Sequence, residues 1–118
     1  AKNIAQQATK GNLNCSGVVL GKWDNGAETS YVNVANKLGT QYFQLDNWSE
    51  LSRKYSNKQI WKINKAFLDN QINANNKIIF SHDPYHTIPG SFFEREVNYL
   101  KKNGYTFEMI GDYYHAVR

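Results

Sequence analysis

Hydrophobic positions in this chain follow two alternating rhythms. Three short apolar runs, Val18-Val19-Leu20, Tyr42-Phe43-Gln44-Leu45 and Ile78-Ile79-Phe80, have the length and side chains of buried strands. Between them the apolar residues recur at helical spacing. Tyr31, Val34, Ala35 and Leu38 share one face of a helix that starts at Thr29 or Ser30, and Gly39 supplies a left-handed stop. Ser56-Asn57-Lys58-Gln59 is a capping box, followed by the stripe Ile60/Trp61, Asn64, Phe67/Leu68, Ile72. Ser91 caps a third helix with the stripe Phe93, Val97 and Leu100, closed by Asn103-Gly104. A fourth strand, Tyr105–Ile110, ends at Gly111-Asp112, and Tyr113–Arg118 follows as an edge strand or loop. The order β-α-β-α-β-α-β predicts an α/β fold: a small three-layer domain with a mostly parallel four-stranded sheet and crossover helices.

The 118 residues predict one domain, residues 17–118, after a polar lead-in, residues 1–16, expected to be mobile. An apolar content of 41% and an aromatic content of 14% are enough for an ordinary core. No apolar stretch approaches the ~20 residues that cross a bilayer. The first residues lack the apolar block of a signal peptide and an initiator Met, so the chain reads as a piece of something longer. Cys15 is the single cysteine, which excludes an intrachain disulfide and a cysteine-based metal cluster. The net charge of +4 favours an anionic partner such as nucleic acid. Lys58, Lys62 and Lys65 carry part of that charge at helical spacing.

Each predicted parallel strand ends on residues that can do chemistry, and in such a sheet ligands bind outside the strand carboxyl ends. Lys22 follows Gly21 and can neutralise a phosphate or a developing oxyanion; otherwise it is a solvated strand-end lysine. Ser81-His82-Asp83-Pro84-Tyr85-His86 is the richest segment: His82 can act as general base or acid, with Asp83 orienting a histidine or holding the turn before Pro84. Asn64 is the one polar residue on its apolar stripe and either pins a loop or faces the crevice. Ser91 at a helix N-terminus can hold a phosphate or simply cap. Glu96 beside the buried stripe is a catalytic carboxylate or the partner of Lys22. Trp23, Trp48, Trp61 and Tyr85 can stack bases or pack in the core. The string Gly17-Val18-Val19-Leu20-Gly21-Lys22 is one residue short of a P-loop and has Trp23 where Ser or Thr is required. No dinucleotide fingerprint follows the strand, so no cofactor is expected. Pro84 between His82 and His86 argues against a shared helical metal site, so no metal is expected either.

Leu20-Gly21-Lys22, Tyr31-Val32-x-x-Ala35-x-x-Leu38-Gly39-x-x-Tyr42-Phe43, Trp61-x-x-Asn64-x-x-Phe67-Leu68-Asp69-x-x-Ile72, Ile78-Ile79-Phe80-Ser81 and Gly90-Ser91-Phe92-Phe93-x-Arg95-Glu96-x-x-Tyr99-Leu100-x-x-x-Gly104-Tyr105 together resemble the C-terminal toxin domain of bacterial polymorphic toxins. These include contact-dependent growth inhibition effectors and related filamentous-haemagglutinin-like proteins. The resemblance spans about residues 17–107, and its matched polar positions are Lys22, Asn64, Ser81, Ser91, Arg95 and Glu96. It implies a secreted or cell-surface effector tip delivered into the cytoplasm of a neighbouring bacterium. It also implies a cognate immunity protein, and for several such toxins a transfer RNA substrate and a host translation elongation factor.

The combined expectation is a metal-independent ribonuclease acting on tRNA. His82 or Glu96 takes the proton from a ribose 2′-hydroxyl, and Lys22 with Ser91 holds the phosphate. Arg95, with Asn64, Ser81, Asp83 and Trp23, contacts the substrate. The basic charge makes an acidic immunity partner the natural complement. Two other readings remain open at this point: a toxin enzyme acting on a nucleotide, NAD or DNA, and a non-catalytic binding module.

Overall fold

The computed structural model describes residues 2–13, 16–21, 30–44 and 48–118. In chain order the elements are α1 (Lys2–Gln7), β1 (Thr9–Gly11), β2 (Gly17–Leu20), α2 (Tyr31–Leu38), β3 (Gln41–Phe43), α3 (Trp48–Lys54), α4 (Asn57–Asn73), β4 (Lys77–Phe80), α5 (Phe92–Lys102), β5 (Thr106–Ile110) and β6 (Tyr113–Val117). The capping box of α4 forms as expected. Ser56 Oγ accepts the Gln59 amide at 3.3 Å, and the Gln59 side chain accepts the Ser56 amide at 2.8 Å. Ser56→Ala is expected to cost about 1 kcal/mol in urea unfolding, with an unchanged m-value, because it orphans one helix amide. Ser30, fully buried, occupies the N-cap of α2 without a side-chain cap bond.

The strands form one six-stranded sheet in the order β1-β3-β2-β4-β6-β5. Its centre is parallel: β3 and β4 flank β2, and Leu20 lies opposite Phe80. The expectation of a mostly parallel four-stranded sheet is corrected at both ends. β1 pairs antiparallel with β3, β6 with β4, and β5 with β6. The register Ile110↔Tyr113 leaves only Gly111-Asp112 between β5 and β6. Two residues can close a hairpin, whereas a parallel return needs a dozen or more. Gly111 takes φ 66°, as the first position of a type II′ turn requires. The tail therefore fills the place beside β4, and β5 is pushed to the edge. At the other edge, part of the polar lead-in forms α1 and β1, with Ala5 and Ala8 buried.

Alternation along β2 divides the core between two faces. Val19 packs with Val34 and Ala35 of α2. Val18 and Leu20 point the other way, among Phe67 and Leu68 of α4 and Phe93, Val97 and Leu100 of α5. The crossover through α2 steps from β2 to β3, and the one through α4 steps back past β2 to β4. The two helices cover opposite faces, as crossovers of one hand stepping in opposite directions must. β2 and β4 thus flank a topological switch point, and the crevice beyond their carboxyl ends is where open α/β sheets take ligands.

Candidate active site at the sheet switch point

Because Leu20 and Phe80 are in register, the next residues of the two strands, Gly21 and Ser81, leave the sheet side by side. The Ser81 amide donates to the Leu20 carbonyl at 2.9 Å, and Ser81 Oγ lies 3.3 Å from the same oxygen. Ser81 Oγ is also 2.8 Å from Nδ1 of His82. This packing exists only because residue 21 has no side chain. A Cβ there would lie 1.7 Å from Ser81 Oγ and 2.9 Å from His82 Nδ1. The His82 ring sits edge-on to Phe93 in the first turn of α5, with centroids 6.3 Å apart. Gly21, Ser81, His82 and the start of α5 therefore meet at one rim.

A buried polar cluster lies along the same edge. Glu96 and Asn64 are 6% and 4% exposed, on α5 and α4. Burial pushes the Glu96 carboxyl up to about 8, against a hydrogen bond from Asn64 that acts to lower it. Glu96 consequently carries a proton at neutral pH. Asn64 Oδ1 is buried with no hydrogen-bond partner among the described residues. A protonated carboxyl has an O–H to offer such an acceptor, so acid and amide can exchange two hydrogen bonds. Tyr31, at the first turn of α2, donates its hydroxyl to the Phe43 carbonyl at 2.6 Å, where β3 ends. Burial raises the Tyr31 phenol, and charge at Glu96 and then Tyr42 raises it further. The buried amides Gln71 and Gln41 contrast with Asn64. Gln71 Nε2 donates to Gln41 Oε1 at 3.0 Å, and Asn76 Nδ2 donates to Gln71 Oε1 at 2.7 Å, a network that only pins α4 to β3.

Compared with known proteins, this chain matches no family model, no curated protein and no solved structure. The site must therefore be read from its own geometry. Among the described residues, no helix is long and apolar enough to cross a membrane.

The other expected site residues divide by what they touch. Asp83 accepts the Tyr85 amide at 2.8 Å and faces His86 Nδ1 at 2.7 Å. Slight burial acts to raise its carboxyl, but the Tyr85 amide and the His86 ring outweigh it and hold it below the usual carboxylate range. Asp83 thus orients His86, not His82, and shapes the turn before Pro84. Ser91 Oγ accepts the Glu94 amide at 3.1 Å, and the Glu94 carboxylate accepts the Gly90 amide at 3.0 Å. The N-terminus of α5 already carries its own anion there, so Ser91 is a cap and a poor phosphate holder. Arg95 lies over the Phe92 ring at 5.4 Å. Trp61 packs edge-on to Tyr99, while Tyr85 is 56% exposed and donates its hydroxyl to the Phe107 carbonyl at 2.8 Å. Lys22, Trp23 and Cys15 lie outside the described residues, as does the side chain of Trp48.

Tyr31 was legible only as part of an apolar helix face.

Proposed function

We propose that this chain is an antibacterial toxin domain that cuts RNA, with tRNA as its substrate, by metal-independent acid–base chemistry. The observation that carries the reading is the imidazole of His82, locked against Ser81 and Gly21 at the switch point of the sheet. The protonated carboxyl of Glu96 on the same edge supplies the complementary acid. In this scheme His82 takes the proton of a ribose 2′-hydroxyl while the 2′-oxygen bonds to phosphorus. The bond from phosphorus to the 5′-oxygen breaks, and that oxygen leaves with the Glu96 proton. A 2′,3′-cyclic phosphate remains. Each proton transfer of this kind contributes roughly 10²–10⁴ in rate.

The burial of Glu96 revises its expected role: at neutral pH it donates a proton rather than accepting one. Lys22 neutralises the phosphate, a role that rests on its place after Gly21 and on the toxin resemblance. Exposed Lys58, Lys62 and Lys65 on α4, with Arg95 on α5, offer positive charge to the RNA backbone. The +4 charge suits an acidic immunity protein, and the resemblance adds delivery into a target bacterium and a translation elongation factor as activator.

The test is incubation of the purified chain with total RNA in the presence of chelator, with and without an elongation factor. The expected result is a discrete cut in tRNA that leaves a cyclic phosphate end. His82→Ala and Lys22→Ala are each expected to slow it by about 10²-fold or more. Intact RNA together with loss of NAD, or with DNA cleavage that stops on chelation, would replace this reading.

A further inference from the structure

We infer that Ser81 is a positioning residue that sets the tautomer of His82, placing the ring proton on Nδ1 and the basic lone pair on Nε2. The inference deepens the proposed function, because it rests on His82 acting as the base there. Its argument is a count of protons. The Leu20 carbonyl oxygen has none to give, so it only accepts. Ser81 Oγ has one, and lies within hydrogen-bond reach of both that carbonyl and His82 Nδ1, at 3.3 and 2.8 Å.

If the hydroxyl proton went to Nδ1, the lone pairs of Ser81 Oγ and Leu20 O would face each other with no proton between them. If it goes to Leu20 O, Ser81 Oγ is left as an acceptor and Nδ1 must be the donor. Both contacts are then satisfied by one arrangement.

Two further observations hold the hydroxyl in this rotamer. The Ser81 amide grips the same Leu20 oxygen at 2.9 Å, which fixes the backbone of residue 81 against β2. Ser81 Oγ itself fills the space that a side chain at residue 21 would take. The device matters because an isolated neutral imidazole favours the opposite tautomer, and which nitrogen carries the proton is decided by the bond the other makes. With Nδ1 spoken for, the edge of the ring turned away from Ser81 is the basic one. Ser81 therefore acts through His82 rather than on substrate, and this replaces the expectation that it binds substrate.

The experiment is nitrogen NMR of the chain labelled at its histidine rings, at a pH where the rings are neutral. It is paired with RNA cleavage by the same samples. Wild-type His82 is expected to show a protonated Nδ1 and an unprotonated Nε2. Ser81→Ala should move the ring toward the Nε2–H form and lower kcat by about tenfold, with KM unchanged and the fold intact by circular dichroism. Ser81→Thr, which keeps the hydroxyl, should restore the Nδ1–H form. An Nε2–H ring in the wild-type protein, or identical ring signals in wild type and Ser81→Ala, overturns the inference. The expected ring signals with RNA cleavage unaffected by His82→Ala leave the tautomer standing and overturn the ribonuclease reading instead.

Discussion

Glu96→Gln is expected to yield a protein that is more stable than wild type at pH 8 and far less active. In the folded chain the Glu96 carboxyl is pushed by burial from an ordinary 4.5 up to about 8. A group whose folded value is raised contributes stability that is full below the unfolded value and is lost as pH climbs through the folded value. Wild-type stability should therefore decline between about pH 4.5 and about pH 8. The decline is on the order of 3–5 kcal/mol, a large part of the roughly 5–15 kcal/mol that holds a domain folded. Gln cannot ionise, so this decline should vanish. Its amide also gives Asn64 Oδ1 a permanent donor while its carbonyl accepts from Asn64 Nδ2, so nothing is orphaned. Urea unfolding of both proteins at pH 5 and pH 8 reads the effect directly. Parallel decline in the two would mean that Glu96 is already ionised at neutral pH, and its role as acid would go with it. RNA cleavage by the variant should fall by about 10²-fold, since Gln has no proton to donate. Glu96→Ala is the contrasting control. It leaves a cavity and an unpaired buried amide, and should lose stability at every pH.

Gly21→Ala should be the most damaging single-methyl addition near the site. The new Cβ would fall 1.7 Å from Ser81 Oγ, so the Ser81 side chain has to rotate away. Rotation breaks its bonds to the Leu20 carbonyl and to His82 together. Overpacking of this kind costs about 1–3 kcal/mol. The cleavage rate should fall by a comparable free energy, about 10²-fold, because a misplaced base no longer meets its proton. The two changes share one cause, so they should not add. In a Ser81→Ala background, where Oγ is gone, Gly21→Ala should cost less of both stability and rate, with only the 2.9 Å approach to His82 Nδ1 and the 3.1 Å approach to the residue 81 Cβ remaining. A double-mutant cycle measures this, and simple additivity would show that Gly21 is not shaped around Ser81.

Much of this site could be read from the chain because its parts are local. The capping box at Ser56–Gln59 and the Ser91 cap of α5 each involve residues three apart, so the signal and the contact are the same stretch. The three central strands announced themselves by length and apolar content, and the helices between them required a parallel arrangement. Parallel neighbours put their carboxyl ends at one edge, which is why Gly21 and Ser81-His82 were expected to meet. The tail reads from the sequence as an edge strand or a loop; it is a strand, but it lies between β4 and β5, a placement set by pairing with β4 and not by the Gly111-Asp112 turn alone. For Asp83 and Ser91 the sequence leaves two roles each, and their nearest neighbours decide: Asp83 faces His86, and Ser91 caps through the Glu94 amide.

The chain by itself determined the three central strands, the helices α2, α4 and α5 and the parallel pairing that brings the strand ends to one edge, because periodicity, caps and glycine stops act over a few residues. Only the tertiary structure decided how the sheet ends, and what each polar side chain became. Glu96 holds its proton because the surrounding core closes over it, against the opposing hydrogen bond from Asn64, and His82 is oriented because β4 lies beside β2. Desolvation and hydrogen-bond direction are summed over neighbours that the fold brings from distant segments, so no local pattern can encode them.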